Sequence, residues 1–206
     1  MKDAELMEIA RESATLIQRE VATLAALVNE FSQFVRFPAA KLLPVDANTT
    51  VQEAVEVFSD RLDGVALRTS LQNGLSPVRA DAPLLRSVIV NLIDNAAEAL
   101  ENASLRQITV TTQLRVESDT IEIAVADTGH GISPQDKDKL FLPHFSTKER
   151  GTGLGLAIAA RIISEHGGAL RVEDNEPQGS RFIIELPVAE LPLATALERS
   201  QLENSK

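Results

Sequence analysis

The stretch Gly151-Thr-Gly-Leu-Gly-Leu156 sets three glycines at alternate positions at the entrance of an apolar, helix-like run covering residues 154–165. Glycines at a helix entrance let backbone N–H groups approach phosphate oxygens, helped by the positive end of the helix dipole. Two common nucleotide folds can be tested against it. The dinucleotide fingerprint needs glycine where Leu156 stands and a strand just before, whereas a polar loop precedes this cluster. The P-loop needs a lysine after its last glycine, and Leu156 follows Gly155. Both of those folds are therefore disfavoured, and a phosphate cradle of another kind remains.

The elements around the cradle come in segregated runs. Residues 50–62 have a helical pattern opened by Asn48 or Thr49 as cap, and 65–71 alternate like a strand. Asp81 caps a long helix with Pro83 in its first turn, reaching Leu100. Residues 108–116 and 120–126 are β-rich and flank a polar turn, a glycine-dotted loop spans 127–153, and 169–173 with 180–186 form a closing hairpin. Helices and hairpins in separate runs predict an α+β fold. Ahead of it, Met7, Ala10, Ala14, Ile17, Val21, Leu24, Val28, Phe31 and Val35 are spaced alternately by three and four, the seam of a helix that packs on other helices. Leu6, Leu16, Leu27 and Phe34 widen the stripe towards a bundle. At 1.5 Å per residue the run is about 45 Å long, more than its own domain can cover, so a homodimer through this helix is expected. Two prolines bracket a linker at 37–44. The expected division is a dimerisation helix and linker over 1–43, a globular domain over 44–188 and a polar tail over 189–206.

Composition narrows the function classes. A net charge of −10 over 206 residues excludes a nucleic-acid binder, which needs a basic face. With no cysteine there is neither a disulfide nor a thiolate metal site. No stretch has the apolar length of a membrane span, and the charged N-terminus is unlike a signal peptide. No membrane contact by this segment and a cytoplasmic location are expected, with any anchor of a longer parent outside these residues.

Three further motifs carry chemistry. Asn91 and Asn95, four apart, share one face of an otherwise apolar helix. Paired amide oxygens suit a hard cation such as Mg²⁺ completed by phosphates and water; a solvated face or a buried hydrogen-bond pair accounts for them equally well. In Asp127-Thr-Gly-His-Gly-Ile132 a strand ends on a carboxylate able to accept from an amine edge such as the adenine 6-amino group. Gly129 and Gly131 permit positive φ and put no side chain against a flat ring; a plain turn is the alternative. In Phe141-Leu-Pro-His-Phe-Ser-Thr-Lys148, apolar anchors precede a hydroxyl pair and a cation, as in a lid over a nucleotide or an ordinary surface loop.

In this order the four motifs resemble the N box (91–100), first glycine box (127–132), F box (141–148) and second glycine box (151–156) of the ATP-binding domain of sensor histidine kinases. The resemblance spans about two-thirds of the chain, and the short join from Lys148 to the glycines is most similar to the nitrogen-regulation branch. It implies the Bergerat (GHKL) two-layer α/β sandwich shared with DNA gyrase, mismatch-repair and heat-shock chaperone ATPases. It also implies ATP with Mg²⁺, Asn95 as metal ligand with Asn91 alongside, and Asp127 on adenine. Gly129, Gly131 and Ile132 would shape the base pocket, with Phe145 and Thr147 in the lid. Lys148 and the backbone of Gly151, Thr152, Gly153, Leu154, Gly155 and Leu156 would hold phosphates, leaving Asn91 and Lys148 as the catalytic pair. The partners implied are ATP and ADP, a response-regulator receiver domain and a second copy of the chain.

Position 91 separates reaction classes. Hydrolysing relatives carry a glutamate there as general base, and asparagine cannot take a proton. This fits an imidazole nucleophile, which needs no base near pH 7. Yet the histidines, His130, His144 and His166, lie in the base loop, the lid and a helix end where capping is expected, and none sits in a His-Glu/Asp-x-x-x-Pro setting. The 7–35 helix resembles the second helix of a dimerisation hairpin, so the expected acceptor histidine lies outside this chain. A non-catalytic nucleotide-binding or dimerisation module is the rival reading, and an ATPase a more distant third.

Overall fold

The computed structural model describes residues 7–9, 11, 13–18, 21, 40–145 and 153–189. The described residues between 7 and 21 are helical, and the rest build an α+β sandwich. The strands are β1 (Leu43–Val45), β2 (Ala66–Leu71), β3 (Val78–Ala80), β4 (Gln107–Arg115), β5 (Thr120–Asp127), β6 (Ala169–Asp174) and β7 (Ser180–Pro187). The helices are α1 (Ala47–Glu56), α2 (Ala82–Ala99), α3 (Pro134–Lys137) and α4 (Gly155–Glu165).

Five strands form one sheet in the order β2-β4-β5-β7-β6, antiparallel except for the β2–β4 pair. That parallel pair requires a crossover, and α2 supplies it. Along β4, β5 and β7, Ile108, Val110, Ile121, Ile123, Val125, Phe182, Ile184 and Leu186 point to one face and join the core cluster. The same cluster takes in α1, α2 and α4, so the helices form the second layer. Helix α2 buries Leu85, Val88, Ile89, Leu92, Ile93 and Ala96, a three-four spacing that gives one apolar stripe. Each of its fully buried Leu and Ile side chains contributes roughly 1.5–3 kcal/mol.

The opposite sheet face is held by charge. Glu122 is fully buried between Arg115 (2.6 Å) and Arg181 (2.5 Å), with Arg171 at 3.7 Å. Burial alone would raise its carboxyl pKa. Its hydrogen bond from Arg115 and the charges of Arg181 and Arg115 outweigh that and hold it below the ordinary value.

Four expectations change. The first helix is capped by Asp46, whose Oδ1 accepts from Thr49 N–H at 2.9 Å, not by Asn48 or Thr49. Asn48 is drawn off to accept from buried Thr112 (2.6 Å) and to donate to the Gln72 carbonyl. That helix also ends at Glu56 rather than near residue 62. Leu43 and Pro44, assigned to the linker, pair with Ala80 and Arg79 in a two-stranded sheet; three-residue strands are too short to betray themselves by alternation. The 127–153 loop contains a one-turn helix, α3, with Ser133 as N-cap and Pro134 at its start.

Candidate functional site

Asn91, Asn95 and Ala99 recur at four-residue intervals and so line one face of α2. Its two ends receive the two glycine loops. At the Asn91 end stands Gly155, the first residue of α4: a Cβ there would lie 2.8 Å from Asn91 Oδ1. At the other end, a Cβ on Gly129 would lie 2.5 Å from the Ala99 carbonyl oxygen. Asn91 to Ala99 is about 12 Å along the helix axis at 1.5 Å per residue. The N box and the two glycine boxes therefore converge, although 36 and 64 residues of chain separate Asn91 from Asp127 and Gly155.

The asparagine pair is half-buried, and Asn95 Nδ2 lies 3.4 Å from Asn91 Oδ1. Asp94, between them in sequence, pairs with Arg61 in the turn after α1 at 3.4 Å. Burial pushes its carboxyl above the ordinary value, against the Arg61 charge. Among the described residues no three His, Cys, Asp or Glu side chains cluster in a way that could hold a metal. The chemistry of the Asn91–Asn95 set, neutral amide oxygens with a bare glycine backbone opposite, fits a cation that draws its remaining ligands from phosphate and water.

Asp127 is the last residue of β5 and only 2% exposed. Its Oδ1 accepts from Gly129 N–H at 2.8 Å and Ser180 N–H at 3.3 Å. Among the described residues both bonds go to that oxygen. Burial pushes this carboxyl above its usual range; the Gly129 and Ser180 bonds and the nearby His130 oppose the rise without cancelling it. Gly131 has φ 74°, the positive value expected there, while Gly129 does not. Gly129 is required instead for contact with the end of α2. Ile132 is half-buried and packs against the core.

Phe141 and Phe145, at the start of the 141–148 motif, pack against the core. His144 N–H donates to the Gly153 carbonyl at 2.9 Å, so the chain on either side of residues 146–152 is drawn together. Thr147, Lys148, Gly151 and Thr152 lie outside the described residues. Leu154 is buried as the N-cap position of α4, with Leu156 packed against the core.

His130 is exposed and its Nδ1 meets its neighbour's carbonyl, Gly131 O, at 2.7 Å. His144 is exposed with φ 65°. His166 is 2% exposed, the C-cap of α4 as the sequence indicates, and both ring nitrogens are engaged.

The sequence reading missed the turn between β6 and β7. Asn175 Nδ2 donates to the Asp127 carbonyl at 2.7 Å, and Lys137 in α3 pairs with Asp174 at 2.7 Å. Gly179 lies so close to Asp127 that any Cβ would collide with its backbone. Asn175, Gly179 and Ser180 thus hold Asp127 from 48 to 53 residues away. In sequence they are only a polar turn with a glycine.

A sandwich with a mixed sheet, an asparagine-bearing helix and glycine loops at both its ends defines a nucleotide-binding class. The family model described as histidine kinase-, DNA gyrase B- and HSP90-like ATPase matches residues 80–190, just over half of the chain. The sensor histidine kinase ZraS of Escherichia coli K12 is 32% identical over 182 residues, which cover 87% of this chain and 38% of ZraS. Full-length ShkA in complex with AMPPNP superposes with TM-score 0.75 at 29% identity, covering 88% of this chain and 39% of that one. Histidine kinase ThkA in complex with response regulator TrrA gives 0.69 at 26% identity, covering 84% of this chain and 50% of that one. The chain belongs to the histidine kinase-, gyrase B- and HSP90-like ATPase family, as an ATP-binding catalytic domain of the sensor histidine kinase kind. It spans about two-fifths of the length of the curated relative ZraS.

Proposed function

We propose that this chain is the catalytic region of a two-component sensor kinase: it binds ATP and directs its γ-phosphoryl group to a histidine outside the chain, for onward transfer to a response-regulator aspartate. The observation that carries the reading is the α2 face Asn91–Asn95–Ala99, with a phosphate-type glycine loop at one end and the buried Asp127 loop at the other. Asp127 Oδ2 accepts from the adenine amino group, with Gly129, Gly131 and Ile132 framing the ring. Backbone N–H groups of Gly151 to Leu156, the stretch of sequence that leads into α4, would meet phosphate oxygens where the helix dipole is favourable. Asn95, with Asn91 beside it, would hold Mg²⁺, which when bound neutralises phosphate charge. Thr147 and Phe145 belong to the closing lid, and Lys148 offsets charge on the transferred group.

Asn91 decides the reaction class. An amide removes no proton from water, so hydrolysis is not promoted, whereas a neutral imidazole attacks without a base. The bond from the γ-phosphorus to the bridging oxygen breaks as a nitrogen–phosphorus bond forms, ADP leaves and the imidazole releases its proton. The N-terminal helix supports a dimeric reading: Met7, Leu16, Ile17 and Val21 are 59–69% exposed, an apolar stripe that a second copy would cover. The ThkA–TrrA complex is the precedent for a receiver-domain partner. On this reading residues 1–43 serve dimerisation, 44–188 catalysis, and 189–206 form a tail.

The test mixes the chain with a separate acceptor hairpin and γ-labelled ATP. Acid-labile, alkali-stable label on the hairpin histidine is expected. ATP binding without transfer overturns the kinase reading in favour of a non-catalytic module, and steady hydrolysis lost in Asn91→Ala would make it an ATPase. No described helix is long and apolar enough to cross a membrane.

A further inference from the structure

The chemistry proposed above makes no use of the most buried histidine. His166 Nε2 lies 2.9 Å from Asp81 N, and its Nδ1 lies 2.7 Å from the Ile162 carbonyl oxygen. A backbone N–H only donates and a carbonyl only accepts, so the ring is neutral with its proton on Nδ1. Asp81 is itself a junction. Its Oδ1 caps α2 through Leu84 N–H at 3.3 Å, and its Oδ2 accepts from Lys41 N–H at 3.0 Å, at the entry to β1.

Helices α2 and α4 run antiparallel and pack through the core, and two polar contacts mark the ends of their overlap. One is Gly155 against Asn91; the other is His166 against Asp81. Gly155 to His166 is 11 residue steps and Asp81 to Asn91 is 10, about 16.5 and 15 Å along the helix axes. The two spans agree to within about one residue's rise, so the far joint helps to hold the axial register of the near one. Gly155 stands close to the site's amide: one added carbon would fall 2.8 Å from Asn91 Oδ1, so that side chain would have to give way. Losing the far joint would let α4 shift along α2 and carry Gly155 towards that amide or away from it.

We infer that His166 is a positioning residue for the nucleotide site, tying the C-terminus of α4 to the N-cap of α2 and so holding the phosphate-binding end of α4 at Asn91. The inference rests on reading Asn91, Asn95 and the start of α4 as the phosphate end of an ATP site. The ring's two bonds can be removed separately. Asparagine places its amide nitrogen near the position of Nδ1 and keeps the Ile162 bond while losing Asp81. Glutamine reaches the position of Nε2 and keeps Asp81 while losing the cap.

The experiment uses the 206-residue chain with a fluorescent ATP analogue, thermal melting, and the Gly155 amide and Asn91 side-chain signals in nucleotide-free nitrogen–proton spectra. His166→Asn is expected to weaken analogue binding roughly fivefold, the scale of one lost hydrogen bond, and to move both signals. His166→Gln is expected to stay within about twofold of the unsubstituted chain even where its melting temperature falls. Wild-type affinity and signals in His166→Asn, or equal losses in both variants tracking stability, overturn the inference. Where His166→Asn does not fold, His166→Gln decides: wild-type affinity and signals support the joint, and displaced ones overturn it. An unsubstituted chain that binds no analogue defeats the ATP-site reading instead, and the nucleotide-free signals then judge the His166 joint by themselves.

Discussion

Replacing Asp127 by asparagine separates recognition from stability at one atom. Oδ1 takes two backbone N–H bonds, from Gly129 and Ser180, and an asparagine keeps them only by leaving its oxygen there. Its NH₂ group then occupies the place of Oδ2 and meets the adenine amino group donor to donor. The lost charge-assisted bond is worth about 1.5–3 kcal/mol, or roughly 10–150-fold in ATP affinity. Stability should move the other way. Burial raises the Asp127 pKa above its unfolded value, so the folded state binds this proton more tightly. The stability linked to it is full below the unfolded carboxylate pKa of about 3.9 and is lost as pH rises through the folded value. At neutral pH the ionised side chain is thus a cost that asparagine removes, and Asp127→Asn should melt higher than the unsubstituted domain. The mismatch also inverts base preference, because the new donor suits a 6-oxo group, so inosine triphosphate should gain on ATP. Calorimetric titration and thermal melting at pH 7 measure both quantities. His130→Ala is the control, since that ring is exposed and its Nδ1 meets its neighbour's carbonyl rather than the Asp127 carboxylate. ATP affinity within twofold of the unsubstituted chain, or an equal loss in the control, would refute Asp127 as the base reader.

Gly155→Ala should leave stability unchanged or higher by up to about 0.5–1 kcal/mol, through helix propensity, while displacing Asn91 and weakening ATP roughly tenfold; unchanged titrations would show that Asn91 is not needed in place. Gly129→Ala forces a methyl group against the Ala99 carbonyl and should cost about 1–3 kcal/mol in urea unfolding; an unaltered midpoint would mean that the loop yields freely. Glu122→Gln leaves three arginines without their shared anion. Those arginines are partly exposed, so the loss should be about 1–3 kcal/mol rather than the larger cost of a fully enclosed pair. The Glu122 pKa is lowered on folding, so its contribution is present above the unfolded glutamate value of about 4.3 and disappears as pH falls through the folded value. Melting curves of the two proteins should converge in acid, and a constant gap from pH 7 to pH 3 would contradict the assignment.

Much of this domain is local enough to be read from the chain. The Asp81 cap, the apolar stripe of α2 and the alternation of β5 each arise within a few residues, because helix and strand periods repeat over that range. The motif order likewise pointed to the ATP-binding class. What the chain could not display was decided by tertiary contact. The α1 cap passed to Asp46 because Thr112, 64 residues away, engages Asn48. The reason for Gly129 is the Ala99 carbonyl rather than a turn, and Asp127 is held by Asn175 and Ser180 across the sheet. His166 reads in sequence as a helix-end cap; only folding brings Asp81, 85 residues earlier, to its second nitrogen. Periodicity and capping depend on neighbours along the chain, whereas these contacts depend on two helices meeting in register, which no local pattern encodes.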